Sequence, residues 1–256
     1  MRRFRVPIGS VRGIRLFLHV TWFPVVAVAV WLLVGAFGDA EPTLPVAERA
    51  AMAVVTGVAF FGSLAAHELA HATVARRFGI GVRGITLFLF GGIAEIDGEV
   101  PSPGREFVVA IVGPAMSIAI AAASGSLAFA TDRFGWEGAA GVFLALATVN
   151  AGLAIFNLIP GLPLDGGRLL RAAIWRVTGD FRKATRAASL GGRLLAIALI
   201  GGGLFLASRG DAWGLWYVFI GTFVWSLAGR SARARVPAER PALAFDGEGQ
   251  APQPGP

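Results

Sequence analysis

Residues 50–78 read AAMAVVTGVAFFGSLAAHELAHATVARRF. Positions 50–66 carry no charged side chain, then His67, Glu68 and His71 follow within five residues, and Arg76-Arg77 closes the run. About 20 mainly apolar residues carry a helix across the hydrocarbon core of a bilayer. This stretch is long enough, and its arginines would stop at the headgroups. An ionisable cluster inside such a helix is costly and by default marks function.

Working outward, five more apolar segments emerge. The predicted spans are residues 16–37, 50–78, 107–130, 138–159, 190–207 and 212–228, the fifth interrupted by Gly201-Gly202-Gly203. Pro24 and Pro114 are tolerated, because neighbouring helices re-satisfy the freed backbone. The whole chain of 256 residues is 55% hydrophobic and 15% charged, far from the usual balance of a soluble domain. It contains no cysteine, which removes thiolate nucleophiles, iron–sulfur clusters and cysteine-ligated zinc. The expected fold class is an all-α polytopic membrane protein of six transmembrane helices, with a short membrane-associated β-hairpin or sheet between helices two and three.

Charge sets the expected orientation. With the N-terminus in the cytoplasm, 20 of the 23 basic residues fall on the cytoplasmic side, leaving Arg49, Arg133 and Arg209 outside. That asymmetry is the positive-inside pattern. It predicts a multi-pass protein of the plasma membrane with both termini cytoplasmic. The net charge of +7 is explained by arginines meeting anionic headgroups. No RNA-binding aromatic pattern or zinc finger accompanies them, so no nucleic-acid partner is expected.

Two stretches are not helical spans. Residues 84–96 are rich in β-formers, with Gly91-Gly92 reading as a turn, and predict a hairpin lying at membrane depth against protein. Residues 236–256, with Pro237, Pro241, Gly247, Pro252 and Pro254, predict a disordered cytoplasmic tail after a single 1–235 membrane domain.

The chemistry concentrates in His67-Glu68-Leu69-Ala70-His71. Positions 67 and 71 lie one helical turn apart, so both imidazoles face one side and can share a metal. Glu68 is placed to take a proton from water rather than to bind metal. By composition alone this pattern would arise roughly 0.001 times in the chain. The competing reading is a hydrogen-bonded pair of core histidines. A tetrahedral zinc needs one more protein ligand beside water, and Asp165, in NLIPGLPLDGGR at 157–168, is the candidate. Pro160 and Pro163 break the helix there, and Gly166-Gly167 allows a close turn. A solvated turn aspartate is the alternative. His67 stands about ten residues, near 15 Å, before the arginine pair, so both elements approach from the same side.

These two motifs resemble the site-2 protease family of intramembrane zinc metalloproteases, M50-type, over most of the chain up to about residue 230. The branch is one without a PDZ domain between spans two and three and, here, without CBS domains after span six. The resemblance implies that His67, His71 and Asp165 hold one catalytic zinc and that Glu68 is the base. It further implies that Asn157 acts as a polar group near the scissile carbonyl, against a plain role in helix–helix hydrogen bonding. Gly91-Gly92, Gly113-Pro114 and the segment from Gly9-Ser10 to His19 are also similar to family features.

The implied activity is hydrolysis of a peptide bond in or near the transmembrane segment of a single-pass membrane protein. By resemblance this is the second cut of regulated intramembrane proteolysis. The substrate would be an anti-sigma factor, a pro-sigma factor or a membrane-bound regulator. The lipid bilayer is the other partner, and a homo-oligomer is compatible with the sequence. The 84–96 hairpin would clamp an unwound substrate by β-addition or plug the site. His19 would line water entry, pack near the site or lie at the interface. Asn150 reads as interhelical glue. A divalent-cation transporter and a non-catalytic scaffold are the rival classes. The first would need several ligand clusters and the second a lost ligand, and neither feature is found.

Overall fold

The computed structural model describes residues 4–88, 91–97 and 100–233. The elements run β1 (Arg5–Val11), β2 (Ile14–His19), α1 (Trp22–Ala40), α2 (Val46–Arg77), β3 (Gly81–Phe88) and β4 (Gly91–Asp97). They continue with α3 (Pro103–Arg133), α4 (Glu137–Asn157), α5 (Asp165–Thr178), α6 (Phe181–Ser208) and α7 (Trp213–Arg233). Five helices, α1, α2, α3, α4 and α6, are long and apolar enough to cross a membrane. The predicted tail at 236–256 lies outside the described residues.

The first span begins later than the sequence reading places it. Residues 16–19 belong to β2, and the helix starts at Trp22. Leu16 to Leu18 pair in parallel with Ile85 to Leu87 of β3. Their side chains do alternate, with Ile14 and Leu16 buried and Arg15 exposed, but the apolar run continues unbroken into α1 and hides the change of period. The predicted two-stranded hairpin is therefore one half of a four-stranded sheet, ordered β1-β2-β3-β4. Gly91 and Gly92 are not the turn but the first residues of β4, opposite Phe88 and Leu87.

Two local features shape this sheet. Arg12 and Gly13 both take positive φ, 51° and 75°, at the tight β1–β2 turn, as two-residue hairpins of matching twist require. Arg76, near the end of α2, donates to the Arg12 carbonyl at 2.7 Å, the Gly13 carbonyl at 3.0 Å and the Val82 carbonyl at 3.2 Å, locking turn and sheet to that helix. A bulge between Val82 and Gly84 inserts one residue, so the buried phase of β3 passes from Val82 to Ile85 and Leu87.

The core lies between the sheet and the second half of α2. Ile14, Leu16, Val82, Ile85 and Leu87 meet Phe61, Leu64, Ala72 and Ala75, and Val109 of α3 joins them. α6 begins earlier than the predicted fifth span, with Asp180 capping it by accepting from the Lys183 N–H at 2.9 Å. That N–H holds the exposed Asp180 carboxyl below the ordinary range. Beyond it, α6 and α7 cross closely at Gly203 and Gly214. A Cβ on Gly203 would come within 2.6 Å of the Gly214 carbonyl oxygen. Of the glycine run that interrupts the fifth span on paper, Gly203 thus packs against α7, while Gly201 and Gly202 face open space.

Candidate metal centre

α2 supplies the first two donors. His67 and His71 are 2% and 6% exposed, and their Nε2 atoms stand 3.2 Å apart. Asp165 Oδ2 closes the triangle, 3.2 Å from His67 Nε2 and 3.1 Å from His71 Nε2. The sequence-predicted trio is therefore brought together from positions almost a hundred residues apart.

Asp165 reaches this point through a tightly folded connection. α4 ends at Asn157, and residues 158–164 turn back before Asp165 opens α5. The start of α5 has no room for side chains against this turn: a Cβ on Gly166 would strike the Leu158 and Ile159 carbonyls, and one on Gly167 the backbone of Gly161 and Leu162. α6 supports the turn from outside. The Leu162 N–H donates to the Ala188 carbonyl at 3.0 Å, and a Cβ on Gly161 would meet Gly192 N at 2.6 Å. Arg168, one turn into α5, places Nη1 3.8 Å from Asp165 Oδ1, on the side away from the histidine-bonded oxygen.

α3 orients both rings. His71 Nδ1 donates to the Val109 carbonyl at 2.5 Å. A carbonyl can only accept, so the neutral His71 ring keeps its lone pair on Nε2. His67 Nδ1 lies 2.9 Å from Ser117 Oγ, and donation there gives the same tautomer. Two imidazole nitrogens and a carboxylate oxygen then converge, an arrangement that a bound cation would hold together. Donors about 2.0–2.2 Å from a four-coordinate ion stand roughly 3.3–3.6 Å apart. The observed edges of 3.1 to 3.2 Å are slightly shorter than that spacing. Gly113 supplies the room: a Cβ there would lie 2.6 Å from His67 Nε2 and would collide with His71 Nε2. The donor set and this cradle fit a divalent ion.

Glu68 sits beside the triangle. Its carboxylate receives the Gly92 N–H, and a Cβ on Gly92 would overlap the Glu68 side chain, coming 2.9 Å from Oε1. The sheet edge β4 therefore touches the general-base candidate directly. Asn157 is the last residue of α4, half-buried, and its amide donates to the Leu153 carbonyl at 3.0 Å rather than to a group of the triangle. Asn150 is buried and bonds back to Leu146 of its own helix at 2.9 Å, so its amide donates within α4, not across to another helix. His19 ends β2 and bonds Thr21 Oγ1 at 2.9 Å.

Sequence reasoning missed the part played by α3. Ser117 and the Val109 carbonyl leave no mark in the sequence, since serine and backbone carbonyls are common in membrane helices. Gly113 had a signal in its pairing with Pro114. The buried ion pair of Glu106 with Arg171 could have been suspected from a charged residue at the head of a span.

A polytopic helical fold with an H-E-x-x-H helix and a third carboxylate ligand candidate defines a membrane-embedded metalloprotein. The chain belongs to peptidase family M50, whose family model matches residues 55–133 and 123–199. Rip3 of Mycobacterium tuberculosis, named as a zinc metalloprotease, is 37% identical over 241 residues, covering 93% of this chain and 61% of its own. The zinc metalloprotease MJ0392 of Methanocaldococcus jannaschii is 29% identical over 201 residues, covering 78% of this chain and 54% of its own. This chain thus spans little more than half to three-fifths of those two relatives. The solved site-2 protease from Methanocaldococcus jannaschii superposes with a TM-score of 0.61 at 24% identity, covering 91% of this chain and 97% of that one. That likeness establishes the shared fold.

Proposed function

We propose that this protein is a zinc-dependent intramembrane endopeptidase, with His67, His71 and Asp165 as metal ligands and Glu68 as catalytic base. The observation that carries the reading is the convergence of two imidazole nitrogens and a carboxylate oxygen beside the half-buried Glu68. Zinc suits two imidazoles and one carboxylate, and the zinc metalloprotease names of the relatives support it.

A zinc ion bound there supplies Lewis acidity, polarising a carbonyl and lowering the pKa of water toward 7. The protein's own groups do the remaining work. The Nδ1 bond to the Val109 carbonyl holds His71 in the ligating tautomer, and His67 takes the same one by donating from Nδ1 to Ser117 Oγ. Glu68 accepts the proton of the attacking water and delivers it to the leaving nitrogen. Asn157, once its amide leaves the Leu153 carbonyl, donates to the oxyanion. β4, an edge strand touching Glu68 through Gly92, pairs with an unwound substrate segment by β-addition.

The substrates are single-pass membrane proteins cut in or near their transmembrane segment, in the second step of regulated intramembrane proteolysis, releasing a cytoplasmic regulator. α7 serves as the sixth span, residues 1–235 form one membrane domain, and both termini face the cytoplasm of a plasma-membrane protein. The test is cleavage of a panel of single-pass substrates in liposomes by wild type and Glu68→Gln, with zinc quantified in both. Cleavage by wild type alone at equal zinc content is expected. Zinc flux without any cleavage would overturn the reading in favour of a transporter.

A further inference from the structure

α5 is the one part of the metal centre whose position the bilayer does not set. It has 14 residues, too few to span, yet its first residue is the third ligand candidate. Something else must hold it in register with α2. Among the described residues, a buried ionic contact joins α5 to α3. Arg171, six residues after Asp165, donates from Nε to Glu106 Oε1 at 2.9 Å and from Nη2 to the same oxygen. Glu106 is 1% exposed, and the Arg171 side chain 19%. On its other side, the Arg171 guanidinium lies 4.9 Å from the Phe181 ring, which also meets Trp175 edge-on. Arg171 is thereby clipped between the heads of α3 and α6.

Glu106 shares the helical face of α3 that serves the other two ligand candidates. Glu106, Val109, Gly113 and Ser117 are spaced three, four and four residues apart, one stripe along the helix. Val109 orients His71, Ser117 orients His67, and Gly113 leaves the ion its space. We infer that Glu106 and Arg171 are positioning residues for the metal centre: their buried ion pair docks α5 on α3 and sets Asp165 against the two histidines. A buried carboxylate is strongly disfavoured without its partner, so the pair tolerates one docking of α5 and disfavours others. The inference rests on the reading of His67, His71 and Asp165 as metal ligands.

The test measures zinc affinity by chelator competition on the full chain in detergent, for wild type, His67→Ala, Glu106→Gln and Arg171→Lys. Glu106→Gln is isosteric and still accepts from Arg171. Arg171→Lys keeps the charge but loses the fork. Both should bind zinc about 10–100-fold more weakly than wild type. Unfolding temperatures with and without zinc give the second readout. A positioning role shrinks the zinc-induced rise, whereas a merely structural role lowers both temperatures in parallel and leaves the rise intact. Wild-type zinc affinity in folded variants, or an unchanged zinc-induced rise, overturns the inference. Should the single variants not fold, Glu106→Met with Arg171→Met removes both charges together. Tight zinc binding in that double variant overturns the inference, and weak binding supports it. Failure of wild type itself to bind zinc, or equal binding by His67→Ala, would instead sink the metal-site reading.

Discussion

Glycine performs two different tasks in two regions of this protein. On α3, Gly113 faces the imidazole nitrogens of α2, and the space its missing Cβ leaves is where an ion would sit. Between α6 and α7, Gly203 and Gly214 face each other's backbones, and Gly221 comes against the Ala196 carbonyl. There the missing side chains let two helices approach closely, the usual way membrane helices gain packing contact in the absence of a hydrophobic drive. The same residue thus creates room in one region and removes it in the other. A glycine's role is read from what faces it.

The sharpest way to break this comparison is Gly113→Ala. Its methyl group would fill the cradle, so zinc content should fall to background and peptidase activity with it, while the helices remain folded. Metal analysis with circular dichroism checks both halves, and full zinc occupancy would end the cradle reading. Glu68→Gln lies on α2 beside the two histidines but outside the donor triangle. It should retain zinc while cleavage drops about 10²–10⁴-fold, as a fluorogenic transmembrane substrate would show. Gly214→Ala tests the other region. Overpacking should destabilise the fold by about 1–3 kcal/mol, visible as a lower unfolding temperature, with unchanged zinc per folded molecule. A loss of zinc in this variant would mean that the two regions are not separable. The mildest effect is expected from Ser117→Ala, which removes one hydrogen-bond partner of His67. Zinc affinity should weaken about tenfold with little change in the metal-free unfolding temperature, as chelator competition and thermal melts would report.

The helices were legible because a bilayer imposes length and apolarity on any segment that crosses it. His67, Glu68 and His71 were legible because helical periodicity alone puts them on one turn. Asp165 was found through the prolines and glycines around it. The boundary at residues 16–19 was misread, since a buried strand and the start of a membrane helix have similar composition when they adjoin. β2 becomes a strand because β3 offers it a partner 69 residues later, at Phe17 opposite Thr86.

The sequence by itself determined that this chain lives in a membrane, that one helix carries two histidines one turn apart with a carboxylate beside them, and that a broken helix brings a further aspartate. Those properties follow from local chemistry and period. Only the tertiary structure decided what each histidine's Nδ1 meets, a carbonyl of α3 for His71 and a hydroxyl of α3 for His67. It also decided that Glu106 and Arg171 meet, and that β4 runs past Glu68. Hydrogen-bond partners and buried charge pairs are set by distances between elements far apart in the chain, and such distances exist only once the helices have packed.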